Sequence, residues 1–381
     1  MNPLFWYPPA ETRISTKSFI DALLGKNHDF EKDLCSYLGV ESCILGNSGR
    51  ALMTLLLQAL KKADTSNRNE VLIPAYTCYS VAASVVKAGL KISVYDLDPQ
   101  TLRPDADSLK NAAGNKTLAI VYQHLFGIPQ PREDFDDISI EHSIPLIEDA
   151  AQGLGGFLNS KPLGALGDFS IFSFGRGKPL PIGTGGALTG KKHALDIIPT
   201  PSSAKGRGQL ITSAAVQALS HPLLYGIMEK LPLGLGKTVF DPGFALSGMP
   251  AAMKMLAKSS LAGLESFNAH RRAIAGVYQS GLDSTHTVKE QVGAGPVYTR
   301  FPFFAGPKRI NPQLYRLGVR RMYPEAIAAE PVIKTYLANP GQPAPGAKQI
   351  ARNLITLPTH SRITLPIARK ILAVLQKEYH C

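Results

Sequence analysis

Residues 71–95, VLIPAYTCYSVAASVVKAGLKISVY, hold the pattern that decides the fold. Val71-Leu72-Ile73 is a short apolar run of β-formers ended by Pro74, which reads as a buried strand. Val81 to Ala88 reads as a helix, closed by Gly89. Ile92-Ser93-Val94-Tyr95 then returns to strand character. A strand, a helix and a second strand in this order describe one βα unit of a parallel sheet.

The same alternation extends in both directions. Upstream, Ser42-Cys43-Ile44-Leu45 is a short strand, Gly46-Asn47-Ser48-Gly49 a turn, and Ala51 to Lys62 a helix rich in strong helix formers. Downstream, Leu118 to Tyr122, Pro145-Leu146-Ile147 and Phe169-Ser170-Ile171-Phe172 supply further strands. Repeated units of this kind predict an α/β fold with a mostly parallel sheet covered on both faces by helices. Ligands of such sheets collect at the carboxyl ends of the strands. Ser48-Gly49, the Pro74 loop and Asp149 all fall there.

Residues 195–258 break the pattern. Pro, Gly and Leu recur, as in His221-Pro222-Leu223-Leu224-Tyr225-Gly226 and Leu231-Pro232-Leu233-Gly234-Leu235-Gly236. This stretch is expected as an irregular, partly helical excursion. A single long helix is expected from about Pro250 to Gly281, with Met255, Leu261, Leu264, Phe267, Ile274 and Tyr278 on one stripe. It leads into a smaller C-terminal α/β domain containing strands at Tyr298–Phe304 and Leu354–Leu357 and a last helix at Ile367–Glu378. Domains are therefore expected at 1–258 and 259–381.

At 381 residues the chain is long enough for two domains, and 44% hydrophobic with 18% charged residues is too apolar for disorder. The four cysteines, Cys35, Cys43, Cys78 and Cys381, form no CxxC pair, so reduced thiols are expected and no metal site. Met1-Asn2-Pro3-Leu4-Phe5-Trp6 lacks the basic and apolar regions of a signal segment, and a cytoplasmic location is expected. A net charge of +12 suits solubility, a polyanionic small molecule or an anionic membrane surface. The basic residues are dispersed and form no nucleic-acid module.

Two groups of residues carry chemistry. Ile147-Glu148-Asp149-Ala150-Ala151-Gln152 ends an apolar strand in a carboxylate, and Ser173-Phe174-Gly175-Arg176-Gly177-Lys178 precedes the run Gly183-Thr184-Gly185-Gly186. An amine that can hold an aldehyde, paired with a buried anion that can keep a pyridine ring protonated, is what pyridoxal phosphate requires of a protein. Taken alone, Asp149 is better read as a helix cap and Lys178 as a surface charge. Ser48-Gly49-Arg50 opens a helix whose N–H groups can hold a phosphate, and Ser173 offers a hydroxyl to it. Gln152 can donate to the phenolic oxygen. Tyr76 and Tyr79 offer aromatic faces, with a core role as the alternative. His124 either faces the site or is a satisfied core histidine, the second being favoured.

In this order the chain resembles the DegT/DnrJ/EryC1/StrS family. The resemblance runs through Asn47-Ser48-Gly49, Val71 to Thr77, Asp96-Leu97-Asp98-Pro99, His124-Leu125-Phe126-Gly127, Glu148 to Gln152 and Ser173 to Gly186. It resumes at Asn268 to Tyr278 and Leu357-Pro358-Thr359-His360. It implies a fold-type I transferase with a three-layer αβα large domain and a homodimer. Lys178 is then the Schiff-base lysine, Asp149 the pyridinium partner, Gln152 the residue at the phenolic oxygen and Ser173 a phosphate ligand. A lysine at 178 argues against the family's dehydratase branch, which has histidine there.

Five departures stand out. Arg50 replaces a threonine at the phosphate helix, Thr184 replaces a glutamate in the glycine loop, and Cys78 falls where an aromatic usually stacks, leaving Tyr79 or Tyr76 for that role. The Asn-Tyr-Arg segment that reaches a neighbour's site is replaced by Phe244-Ala245-Leu246-Ser247-Gly248-Met249, and Arg321-Met322-Tyr323-Pro324 matches the family's substrate segment poorly. The expected activity is amino transfer, with glutamate as donor, to a nucleotide-linked keto-sugar. A different carbonyl substrate is the alternative within enzymes, and a non-catalytic cofactor-binding protein is the alternative outside them. Membrane contact through residues 210–261 is less favoured than a lid or dimer contact.

Overall fold

A computed structural model of the chain describes residues 5–11, 13–24, 29–202, 207–229 and 238–379. Its centre is a seven-stranded sheet of β1 (Ser42–Gly46), β2 (Glu70–Pro74), β3 (Lys91–Tyr95), β4 (Thr117–Gln123), β5 (Leu146–Asp149), β6 (Phe169–Ser173) and β7 (Gly186–Gly190). The spatial order is β1-β7-β6-β5-β4-β2-β3. The five strands from β6 across to β3 pair in parallel, while β7 runs antiparallel to both β6 and β1. Every residue of β4 is buried, as a continuous apolar run in a doubly covered parallel sheet must be.

Helix α1 (Gly49–Ala63) packs on the β1, β6 and β7 side, and α2 (Tyr79–Lys87) packs against α1 and β3. On the opposite face, Phe135 of the helix Glu133–His142 meets the rings of Tyr95 and Tyr122 at 5.7 and 5.2 Å. The mostly parallel α/β sheet expected from residues 71–95 is therefore present. Strand β7 begins at Gly186, the last residue of the glycine-rich run, and was not expected from sequence.

The excursion contains α3 (Arg207–Leu219) and a short helix, Pro222–Met228; the quoted Leu231–Gly236 lies outside the described residues. The expected long helix is two helices, α4 (Ala251–Leu261) and α5 (Leu264–Gly281), and the expected division at 258/259 falls inside α4. The break is local. The Gly263 N–H bonds back three residues to Ser260 O at 3.1 Å, a tighter turn than an α-helix makes, at a residue that disfavours helix.

The C-terminal part pairs β8 (Arg300–Phe304) with β9 (Leu354–Pro358) antiparallel, and α6 (Leu365–Tyr379) packs on α5. Asp96 ties it to the large sheet by accepting the Gly346 and Ala347 N–H groups at 2.8 and 2.7 Å. Glu11 ties the N-terminal segment to the same region through Ser361 and Arg362 at 2.6 Å and His360 at 3.4 Å. Burial pushes the Glu11 carboxyl up, but the His360 bond and charge, Ser361 and Arg362 outweigh it and hold it at about 2. Among the described residues, no helix is long and apolar enough to cross a membrane.

Candidate active site

Alternation along β5 divides two adjacent carboxylates between the faces of the sheet. Glu148 points to the face that carries Tyr122. It is fully buried, and its oxygens accept from His124 Nε2 at 2.9 Å, Leu166 and Gly167 N–H at 2.9 Å, Ser170 Oγ at 2.8 Å, and Gly164 N–H. Burial raises this carboxyl, yet the donors, His124 first, hold it below the usual glutamate value. His124 Nδ1 accepts the Gln130 N–H at 3.0 Å, so the proton of a neutral ring sits on Nε2 and points at Glu148. Both expectations for His124 are met: its nitrogens are satisfied in the core, and the residue still lines the cavity described next.

Asp149 points to the other face, beside its register partners Gln123 and Ile171. All three line a cavity of about 260 Å³ at the carboxyl ends of the strands, together with Ser48, Gly49, Arg50, Gln152, Ser173 and Lys178. Seven of the eight sequence-expected cofactor residues thus meet around one cavity. Asp149 is half-buried, and the only hydrogen bond of its carboxylate among the described residues is from the Ala151 N–H at 3.0 Å. Burial raises its carboxyl above the ordinary aspartate value, with the Lys178 charge pulling the other way.

The eighth residue, Tyr79, needs a correction. It is not among the lining residues: its ring is buried and its hydroxyl donates to Glu325 O and Glu330 Oε2, both at 3.2 Å. Tyr79 opens α2, and its direction there is set by packing against the C-terminal part. Tyr76, the alternative, is fully buried against Tyr323, with ring centroids 5.3 Å apart. The flat or polarisable residues that do line the cavity are Cys78, His124 and Tyr323.

The end of the cavity expected to take a phosphate is built at α1. Ser48 caps the helix, its Oγ accepting the Ala51 N–H at 3.3 Å, and the Arg50 N–H has no acceptor among the described residues. The close approach of β7 requires Gly186, where a Cβ would sit 2.4 Å from Gly49 N. Thr184 Oγ1 ties the glycine loop to Asn47 O at 2.9 Å. The segment that replaces Asn-Tyr-Arg docks on the same chain. Asn47 bonds Ser247 O and Ala245 O at 2.8 and 3.0 Å, and the Arg50 guanidinium lies 4.5 Å over the Phe244 ring.

Two side chains hold the remaining geometry. Gln152 Oε1 accepts from Thr299 Oγ1 at 2.9 Å, which leaves its amide N–H groups available to the cavity. Arg271, buried on α5, donates to Lys178 O and Pro179 O at 3.3 Å and to Asn268 Oδ1 at 2.7 Å, clamping the lysine loop from behind. Burial lowers its guanidinium to about 10, still charged at neutral pH. A further lining residue, Thr77, has a buried hydroxyl without a partner among the described residues. The orphaned Thr77 hydroxyl, the Gln152 amide, the Ser173 hydroxyl, which has no hydrogen bond among the described residues, and an open helix start, facing an amine and a carboxylate, fit pyridoxal phosphate.

Sequence reading missed Arg271, Thr77, Gln123 and Tyr323 as site residues. Tyr323 sits in a segment that matches the family poorly, and Arg271 lies on a helix face with no periodic mark of its role.

The family model of the DegT/DnrJ/EryC1/StrS aminotransferase family matches residues 14–376. GDP-perosamine synthase of Caulobacter vibrioides is 33% identical over 161 residues, 42% of this chain and 43% of that protein. L-glutamine:2-deoxy-scyllo-inosose aminotransferase of Micromonospora echinospora is 31% identical over 289 residues, 76% of this chain and 64% of that protein. The matched stretches thus span less than two thirds of these relatives' lengths. The crystal structure of the aminotransferase TlmJ from Streptoalloteichus hindustanus superimposes with a TM-score of 0.75 at 19% identity, covering 98% of each chain.

Proposed function

We propose that this chain, which belongs to the DegT/DnrJ/EryC1/StrS aminotransferase family, is a pyridoxal phosphate-dependent aminotransferase acting on a keto-sugar. The observation that carries the proposal is the meeting of Lys178 and Asp149 at one cavity with the start of α1 and Ser173. Bound there, pyridoxal phosphate supplies an aldehyde and a ring that stores the electron pair left when a proton departs from carbon.

The chain's own residues do the rest. Lys178 Nζ would hold the cofactor's aldehyde carbon, and its amine is the group placed to move a proton at the donor Cα. Asp149, half-buried at the end of β5, would hold the proton on the ring nitrogen. The amide of Gln152 donates to the phenolic oxygen, with its orientation set by Thr299. The Arg50 N–H, Ser48, Ser173 and Thr77 hold the phosphate.

One relative's printed name gives L-glutamine and 2-deoxy-scyllo-inosose and another's gives GDP-perosamine; beside them, glutamate or glutamine is the proposed donor and a keto-sugar, nucleotide-linked or free, the proposed acceptor. A homodimer is the working unit this family membership suggests, and light scattering tests it. The deciding experiment mixes cofactor-loaded protein with a panel of amino acids and follows loss of the yellow absorbance. Conversion of the cofactor to its amine form, reversed by a keto-sugar, is the expected result. A cofactor that binds but is converted by no amino acid favours the non-catalytic alternative.

A further inference from the structure

The loop that carries Lys178 is touched by a segment far from it in sequence. Gly177, the residue before the lysine, has a φ of 75°, and a Cβ there would sit 2.6 Å from the Ala10 Cβ. Only glycine accepts that backbone and that approach together. One residue after Ala10, the buried Glu11 lines a cavity of about 10 Å³ with Arg271, Pro181 and His360. A space of that size holds one water at most, so Glu11 and Arg271 are close neighbours rather than the walls of a ligand site. Arg271 is the side chain that donates to Lys178 O and Pro179 O, and the Glu11 charge favours its cation.

Terminal segments are ordered only where something ties them down. Here both ends and the middle are tied. The Trp6 N–H donates to Pro222 O at 3.0 Å, and a Cβ on Gly226 would come within 3.0 Å of the Trp6 ring, so the short helix packs directly on it. At the other end Ile14 exchanges two hydrogen bonds with the Gln217 amide of α3. Its N–H donates to Oε1, and its carbonyl accepts from Nε2 at 3.0 Å. Both anchors belong to the excursion. Between them the Tyr7 N–H donates to Arg316 O and Pro8 O accepts from His360 Nε2, each at 2.8 Å. Glu11 closes the middle through Ser361 and Arg362.

We propose that Ala10 and Glu11 are positioning residues for Lys178, held by an N-terminal strap that the excursion anchors at both ends. The placement of the loop rests on the contacts alone; its consequence, the reactivity of the lysine, rests on the aminotransferase reading. Arg271 fixes the carbonyls of the loop, Glu11 faces Arg271, and Ala10 bears on Gly177. The Lys178 amine has to meet one carbon of the cofactor and one of the donor, and a displacement of about 1 Å costs on the order of 100-fold in rate. The excursion thereby gains a role within its own subunit.

The test compares wild type with a truncation lacking residues 1–12 and with Glu11→Gln and Glu11→Asp, each first checked by thermal melting. Hydrogen exchange of the cofactor-free protein reads the loop without any chemistry. Exchange at residues 175–180 should rise about tenfold or more in the truncation and in Glu11→Gln, with part recovered in Glu11→Asp, while residues 49–53 stay within about twofold. In cofactor-loaded protein the pH at which the yellow absorbance changes should shift by about 0.5 unit or more. The glutamate half-reaction should lose about tenfold or more in kcat with KM within about threefold. Binding of the cofactor's amine form, which needs no bond to Lys178, should be unchanged. A synthetic peptide of residues 1–12 should restore part of what the truncation loses. Unchanged exchange at the loop would overturn the proposal, and so would unchanged absorbance and kcat beside a lowered melting temperature, which would make the strap structural alone. Should the truncation fail to fold, Glu11→Gln decides. If the loop loosens as expected but wild type converts no amino acid, the aminotransferase reading fails while the placement of the loop by the strap stands.

Discussion

Replacing Glu148 by Gln should unfold much of what holds the site together, and the loss can be worked from the donors around it. One carboxylate oxygen takes His124 Nε2 and the Gly164 N–H; the other takes Leu166, Gly167 and Ser170. A glutamine keeps one acceptor oxygen. If that oxygen serves the second group, its amide nitrogen faces two donors that can no longer bond. His124 cannot relieve the clash by moving its proton, because Nδ1 already accepts from Gln130. Two orphaned buried donors at about 1–3 kcal/mol each give a loss of about 2–6 kcal/mol, a large share of a typical domain's stability.

Equilibrium urea unfolding of the cofactor-free protein at neutral pH measures this loss directly. Because the Glu148 carboxyl is held below its unfolded value, its contribution is complete above the ordinary glutamate range and is lost as pH falls through the folded value. The gap between wild type and variant should therefore narrow in acid. A loss under about 1 kcal/mol at neutral pH, or a gap that widens in acid, would refute the reasoning.

Asp149→Asn should raise the melting temperature of the cofactor-free protein at pH 7. The raised carboxyl is a penalty that is present above its folded value and absent below the ordinary aspartate range, so the difference should close below about pH 4. The same variant should bind pyridoxal phosphate at least about tenfold more weakly by fluorescence titration, since a ring cation loses its counter-charge. Arg271→Lys loses the fork that holds Lys178 O and Pro179 O; kcat should fall about 10- to 100-fold by stopped-flow while the cofactor is still held covalently. Thr77→Val removes an unpartnered buried hydroxyl, so cofactor-free unfolding should show equal or slightly greater stability, by up to about 1 kcal/mol, and cofactor affinity should fall.

Much of the fold was legible because its strands and helices carry their own signals. Val71 to Tyr95 has the apolar strands, the helix and the closing glycine that a βα unit needs, and the strand-end rule then located Ser48 and Asp149 before any contact was known. The long helix was misread because the stripe from Met255 to Tyr278 continues across the turn at Gly263, and periodicity does not register one tight hydrogen bond. Strand β7 was hidden because it opens on the last glycine of the run, Gly186, whose missing Cβ serves the approach to α1. Tyr79 was placed in the site because it follows a strand end; its direction is decided by Glu325 and Glu330, some 250 residues away in sequence.

The most direct measurement is borohydride reduction of the purified protein with pyridoxal phosphate, followed by peptide mass mapping. The reduced cofactor should be found on the peptide carrying Lys178, and Lys178→Ala should lose it while melting within a few degrees of wild type. Attachment at another lysine, or none at saturating cofactor, would contradict the assignment on which the whole site is built.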